Sequence, residues 1–192
     1  MKHVSILVSI LLVMFLVSCG GGESTDNEEK TKTEDNAANV SEANESAEIV
    51  MSNTDFTEQS IPITMDVPEG AEITEGMLNG EFGGVNLLNY EVAKDGWILD
   101  ISMMDEEPYR EKEDYIQDAK DFALETEGFA EIVDEDESGF IYKLENEEGN
   151  EYNLYYVIIK DDRAIEIEEG LKFTNYTLEE ITSMFEAAKT AK

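Results

Sequence analysis

The chain reads as an α+β protein, with an antiparallel β-sheet flanked by helices over residues 54–192. Three observations predict it. Two alternating apolar stretches meet across Asp95-Gly96, a strong hairpin turn signal. A run of further strand-like stretches from Phe129 to Glu169 is joined by short acidic turns. Two stretches instead carry helical apolar spacing, one ahead of Gly128 and one behind Thr177.

The elements follow in order. Ile61, Ile63, Met65 and Val67 alternate and share one face of a strand, with Pro62 at its start or at a sheet edge. Pro68-Glu69-Gly70 turns the chain. Ala71 to Gly84, with four glycines, reads as a loop or as short irregular strands. Val85 to Val92 and Trp97 to Met104 form the hairpin, with Trp97, Leu99, Ile101 and Met103 on one face. Pro108 ends that unit.

Glu111 to Glu127 is predicted helical: Tyr115, Ile116, Ala119, Phe122 and Ala123 form one apolar stripe, and Gly128 is its stop. Phe129 to Val133 and Phe140 to Glu145 are strands around an acidic turn, and Glu147-Glu148-Gly149-Asn150 makes the next turn. Tyr152 to Lys160 is apolar on both faces, as a strand covered on both sides would be. Arg163 to Glu169 alternates, with Ile165 and Ile167 inward and Glu166 and Glu168 outward. Thr177-Leu178-Glu179-Glu180 fits a capping box, followed by a helix that carries Ile181, Met184, Phe185 and Ala188 on one face nearly to Lys192.

The other end of the chain is built differently. After Lys2, residues Val4 to Val17 are apolar apart from two serines, too short a run for a comfortable bilayer span. With the small residues that close it, this is the layout of a secretory signal peptide over residues 1–18. Leu16-Val17-Ser18-Cys19 resembles the lipobox of bacterial lipoproteins. That resemblance implies cleavage before Cys19 and acylation of its thiol, so that the membrane is reached through lipid on Cys19. Two or three acyl chains anchor stably where one does not, at about 0.8 kcal/mol per buried methylene.

Residues 19–53 are Gly-rich, then rich in Glu, Asp, Asn, Ser and Thr, with no aromatic residue before Phe56. Such a segment buries too little apolar surface to offset its ordering entropy and reads as an acidic disordered tether. Glu23, Asp26, Glu28 and Glu29 loosely resemble the acidic export signal that some bacterial groups place after the lipidated cysteine, which implies exposure at the cell surface.

Charge and composition exclude several functions. The chain has 13 basic and 46 acidic side chains; removal of residues 1–18 takes away only Lys2 and leaves a formal charge of −34. Phosphate backbones repel such a surface, so nucleic acid is excluded as a partner, while cations and basic partners are attracted. The single histidine, His3, leaves with the signal peptide, and the single cysteine is Cys19. Ser-His and Cys-His nucleophiles, His-ligated zinc and intrachain disulfides are therefore excluded from the mature chain.

The order of strand, hairpin, helix, four meandering strands and helix, together with Pro68-Glu69-Gly70 and the last helix, resembles the PsbP/Mog1-like fold, an α/β/α sandwich. That resemblance covers roughly Ile61 to Lys192. It implies an accessory or binding protein rather than an enzyme; no cofactor is expected, calcium apart.

One local pattern carries metal chemistry. Asp134, Asp136, Ser138 and Glu145 occupy positions one, three, five and twelve of an EF-hand calcium loop, with Gly139 sixth and Ile141 eighth. The flanks are strand-like rather than helical, so the segment reads first as a solvated hairpin turn, with a calcium contact at the turn as the alternative. Tyr152, Tyr155 and Tyr156 form either a sugar-binding platform or ordinary sheet packing. Paired carboxylates for glycoside hydrolysis cannot be singled out among so many acids. The expectation is thus an envelope lipoprotein with a non-catalytic module for an envelope protein partner. The alternatives are a surface binder of calcium or carbohydrate and, more distantly, a carboxylate-based hydrolase.

Overall fold

The computed structural model describes residues 49–82, 85–104, 110–147 and 149–192. The signal peptide, the lipobox with Cys19, the tether through residue 48, Gly83, Gly84, Pro108 and Glu148 lie outside the described residues. Those described form an α+β fold, mostly antiparallel sheet with two α-helices. Among them no helix is long and apolar enough to cross a membrane.

β1 (Met51–Asp55) pairs antiparallel with β2 (Thr64–Pro68), Met51 opposite Pro68 and Asp55 opposite Thr64. Ordered pairing therefore starts at Met51, inside the segment expected as tether to residue 53. Ser52-Asn53-Thr54-Asp55 has the polar composition of a linker, which hid the strand. Backbone pairing holds it instead, with an Asn53 Nδ2 to Asp66 Oδ1 bond of 2.8 Å and the fully buried Phe56 directly after it.

The larger sheet contains β3 (Glu72–Glu75), β4 (Gly80–Phe82), β5 (Val85–Lys94), β6 (Trp97–Met104), β7 (Phe129–Glu135), β8 (Gly139–Asn146), β9 (Gly149–Lys160) and β10 (Arg163–Glu169). Its order is β3-β5-β6-β10-β9-β8-β7, with β4 also on β5. The glycine-rich stretch after Gly70 thus forms two short strands on one partner. The β5–β6 turn has Asp95 at φ 50° and Gly96 at φ 87°, two left-handed residues that match the twist of the flanking strands.

Because side chains alternate across a strand, neighbouring residues enter two different apolar clusters. Leu99, Ile101 and Met103 of β6 and Ile165 and Ile167 of β10 gather with Ile181, Met184 and Phe185 of α2 (Leu178–Ala188). Tyr155 and Val157 of β9, Phe140 of β8 and Ala164 of β10 gather with Tyr115 and Ala123 of α1 (Lys112–Glu125).

The helix ends follow local chemistry. At α2, Glu180 N–H donates to Thr177 Oγ1 at 3.3 Å and Thr177 N–H donates to Glu180 Oε2 at 2.8 Å, completing the capping box. This helix stops at Ala188 rather than running on, and Lys192 exchanges two 3.1 Å backbone bonds with Thr64. Past α1, Gly128 has φ 87°, and a Cβ there would lie 2.6 Å from the Glu145 carbonyl oxygen. Only glycine meets both demands.

The α1 stripe differs from expectation at one residue. Phe122 lies at its margin rather than its centre and is 69% exposed, whereas Tyr115 and Ala123 are buried. Its ring borders an opening between helix and sheet.

Candidate functional site

That opening is a cleft of about 280 Å³. The α1 side contributes Tyr115, Asp118, Ala119 and Phe122, with Arg110 just ahead of the helix. The sheet contributes Phe140 and Tyr142 from β8, Leu154 and Tyr155 from β9, and Glu166, Glu168 and Glu169 from β10. Strand period places Phe140, Tyr142, Tyr155, Glu166 and Glu168 on the α1 face, while Leu154 and Glu169 have the opposite parity and are joined to each other by a backbone-to-carboxylate hydrogen bond. Tyr155 stands opposite Phe140 on one side and Glu168 on the other, and Glu168 stands opposite Asp100 of β6. The row continues to Glu91 of β5, opposite Asp100.

Rings line one part of the cleft. The Phe140 centroid lies 5.8 Å from Tyr142 and 6.0 Å from Tyr155, both tilted. The Arg110 guanidinium lies 4.7 Å from the Tyr115 centroid and donates to Asp118 Oδ2 at 2.6 Å.

Carboxylates line the rest. The Tyr155 hydroxyl donates to Glu166 Oε2 at 2.6 Å, and Leu154 N–H donates to Glu169 Oε2 at 2.6 Å. Burial pushes Glu169 up to about 8, against the lowering effect of the Leu154 N–H and its own, with Glu168 and Glu151 adding to the rise. Asp100 is pushed up to about 6, by burial first and then by Glu91. Glu168 keeps an exposed side at the cleft mouth; partial enclosure, then Glu166 and Asp100, still shift it upward. Tyr142 and Tyr155 are raised by burial and by neighbouring carboxylates, and so remain neutral phenols.

Like charges directly opposite on adjacent strands are destabilising. The row Glu91, Asp100 and Glu168 retains that repulsion, and the neighbouring charges acting on Glu168 are themselves acidic. Among the lining residues one base, Arg110, faces four acids, Asp118, Glu166, Glu168 and Glu169. The arrangement can receive a cation or hold a protonated carboxyl at neutral pH.

The EF-hand-like set lies elsewhere and is not drawn together. Asp134 and Glu135 end β7, Gly139 begins β8, and Asp136 to Ser138 form the turn between them. Asp136 Oδ1 accepts from Ser138 N–H at 2.7 Å and from Gly139 N–H at 3.0 Å. Ser138 Oγ accepts from Lys112 Nζ at 3.1 Å. Glu145 lies at the far end of β8, roughly 20 Å along the strand at about 3.3 Å per residue, and pairs with Lys143 at 2.5 Å. An EF-hand loop curls its twelfth residue back to its first; an extended β8 carries it away. Among the described residues no group of three or more acidic, histidine or cysteine side chains is placed to hold a metal ion.

The three tyrosines divide between the two faces of the sheet, as sheet packing does. Tyr155 joins the α1 cluster, while Tyr156 joins the α2 cluster with its ring 5.8 Å from Phe185, edge to face. Tyr152 is partly buried beside the α2 cluster. Sequence reasoning missed the cleft because its members come from α1, β8, β9 and β10. One signal was legible: Glu166 and Glu168 alternate with core isoleucines, and so share a face with Ala164.

These features define an α+β domain with an acidic, tyrosine-lined cleft. The chain matches no protein-family model, no curated protein and no solved structure.

Proposed function

We propose that this chain is a lipid-anchored lipoprotein of the cell envelope, held by acyl groups on Cys19, whose domain binds a partner protein non-catalytically through the cleft beneath α1. The observation that carries the reading is the cleft itself: rings and carboxylates converge there in a chain whose only imidazole and thiol are His3 and Cys19. Two apolar clusters, one with α1 residues and one with α2 residues, support an α/β/α layering of the PsbP/Mog1-like kind. That likeness favours an accessory role, and the net charge of −33 disfavours nucleic acid.

The test is photo-cross-linking in intact cells from a reactive side chain at position 122 on the cleft margin. The control position is Thr57, an exposed residue beyond β1. One stoichiometric partner captured from position 122 and absent from position 57 is the expected result. Equal capture from both, or none, would overturn the reading.

Carboxylate-based hydrolysis is favoured by one observation: Glu169, pushed up to about 8, is a carboxyl protonated at neutral pH beside other carboxylates. A glycoside panel turned over by the wild-type chain and not by Glu169→Gln would replace the non-catalytic reading.

A further inference from the structure

We propose that the cleft beneath α1 is a site for an organic cation, a primary alkylammonium group seated against the rings of Tyr142 and Tyr155 and ion-paired with Glu168 and Glu169. The inference rests on the reading of this cleft as the binding site and specifies the chemistry that enters it.

Three features of the cleft lead there. Its volume of about 280 Å³ is that of one long side chain or a small diamine, below the roughly 300–1,000 Å³ of sites for drug-sized ligands. Its rings are aromatic faces of the type that attract ammonium groups within about 6 Å of the centroid. A guanidinium already uses this chemistry at the same opening, where Arg110 lies over Tyr115 and pairs with Asp118. Deeper in, towards β10, the charges that act on Glu168 and Glu169 among the described residues are themselves acidic: Glu166 and Asp100 on Glu168, and Glu168 and Glu151 on Glu169. A cation there relieves repulsion already present in the sheet.

A proton linkage follows. Glu168 of its own strand and Glu151 of β9 act on Glu169, which acts in turn on Tyr142 of β8 and Tyr176 beyond β10; Glu166 and Asp100 act on Glu168, Glu166 and Glu168 act on Tyr155, and Glu91 acts on Asp100. From the helix side come Tyr115, Asp118 and Arg110. A bound ammonium stabilises the ionised form of Glu169, so binding near neutral pH expels a proton to solvent.

The experiment is calorimetric titration of the full chain in detergent at pH 7, in two buffers of different ionisation enthalpy. One probe is 1,5-diaminopentane, and the other is a blocked Gly-Lys-Gly peptide; magnesium chloride at matched ionic strength is the control. The expected result is saturable one-to-one binding of at least one amine, with net proton release. Glu169→Gln should abolish that release and weaken binding about tenfold, the equivalent of about 1.4 kcal/mol. Saturation by the diamine identifies a free amine as a sufficient ligand; saturation by the peptide alone identifies a lysine side chain. Either supports the proposal.

Equal binding of magnesium, or amine binding without proton release in the wild type, overturns it whatever the variant does. If neither amine binds while position 122 still captures its partner, the cation assignment fails and the binding-module reading stands. If both are silent, both fail.

Discussion

The Tyr155 hydroxyl donates to Glu166 Oε2 at 2.6 Å, tying β9 to β10 directly beneath α1. Tyr155 is 95% buried, so this bond fixes a phenol on the cleft floor. Tyr155→Phe should cost about 1.5–3 kcal/mol, the range for hydrogen bonds to charged groups. Urea denaturation checks this, and an unchanged midpoint would show that the bond contributes nothing.

The raised carboxyls set a pH dependence. Asp100 and Glu169 hold their protons to about 6 and about 8 in the folded chain. Unfolded, they titrate near about 4. The folded state thus binds more protons across that interval, and stability should fall as pH rises from about 4.5 to about 8. Melting temperatures from pH 5 to 8.5 test the slope, which should flatten in Asp100→Asn combined with Glu169→Gln.

The capping box of α2 gives a local test. Thr177→Ala removes the acceptor for Glu180 N–H and leaves that end of the helix short of a partner. A loss of about 1 kcal/mol is expected. Thr177→Ser should retain most of the stability, and denaturation midpoints distinguish the two.

Phe122 and Ile167 make a contrasting pair. Ile167 is fully buried between β6 and β9, so Ile167→Ala should cost about 2–5 kcal/mol. Phe122 is 69% exposed, so Phe122→Ser should change stability by no more than about 0.5 kcal/mol while impairing capture of the partner. A large stability loss from Phe122→Ser would place its ring in the core instead.

At the β7–β8 turn, Asp136→Asn keeps a side-chain carbonyl that accepts from Ser138 N–H and Gly139 N–H. The double substitution Asp134→Asn, Asp136→Asn should therefore leave folding, and any response of stability to calcium, nearly unchanged. Calcium-dependent melting curves that diverge between variant and wild type would show the turn to be a cation contact.

Much of the fold was legible because it rests on short-range pattern. Asp95-Gly96 identified a hairpin, and alternation through Ile165 and Ile167 identified β10. Thr177 with Glu180 identified the start of α2. The two-sided apolar character of Tyr152 to Lys160 matched β9, whose alternate residues enter the α1 and α2 clusters. β1 was not legible, since its polar residues are held by backbone pairing with β2 rather than by an apolar face. Nor was the cleft: the approach of Tyr142 and Tyr155 to Glu168 depends on strand order, with β10 placed between β6 and β9. The calcium-loop spacing is a linear count, whereas the extended β8 sets its twelfth position, Glu145, far along the strand from Asp134, as the hairpin-turn reading expects.

The pairing of β1 with β2 has a mechanical consequence. Met51 and Pro68 form the open end of that two-stranded unit, while Asp55 and Thr64 form its closed end. Tension applied through the chain ahead of Met51 loads the pairs one after another, the weak unzipping geometry, rather than all together. Five residues can peel away and lengthen the reach by roughly 17 Å at about 3.4 Å per residue. Phe56, with no exposed surface, halts the peel there. The strand can act as a spring-loaded slack take-up, which yields before the sheet carrying the cleft feels the load.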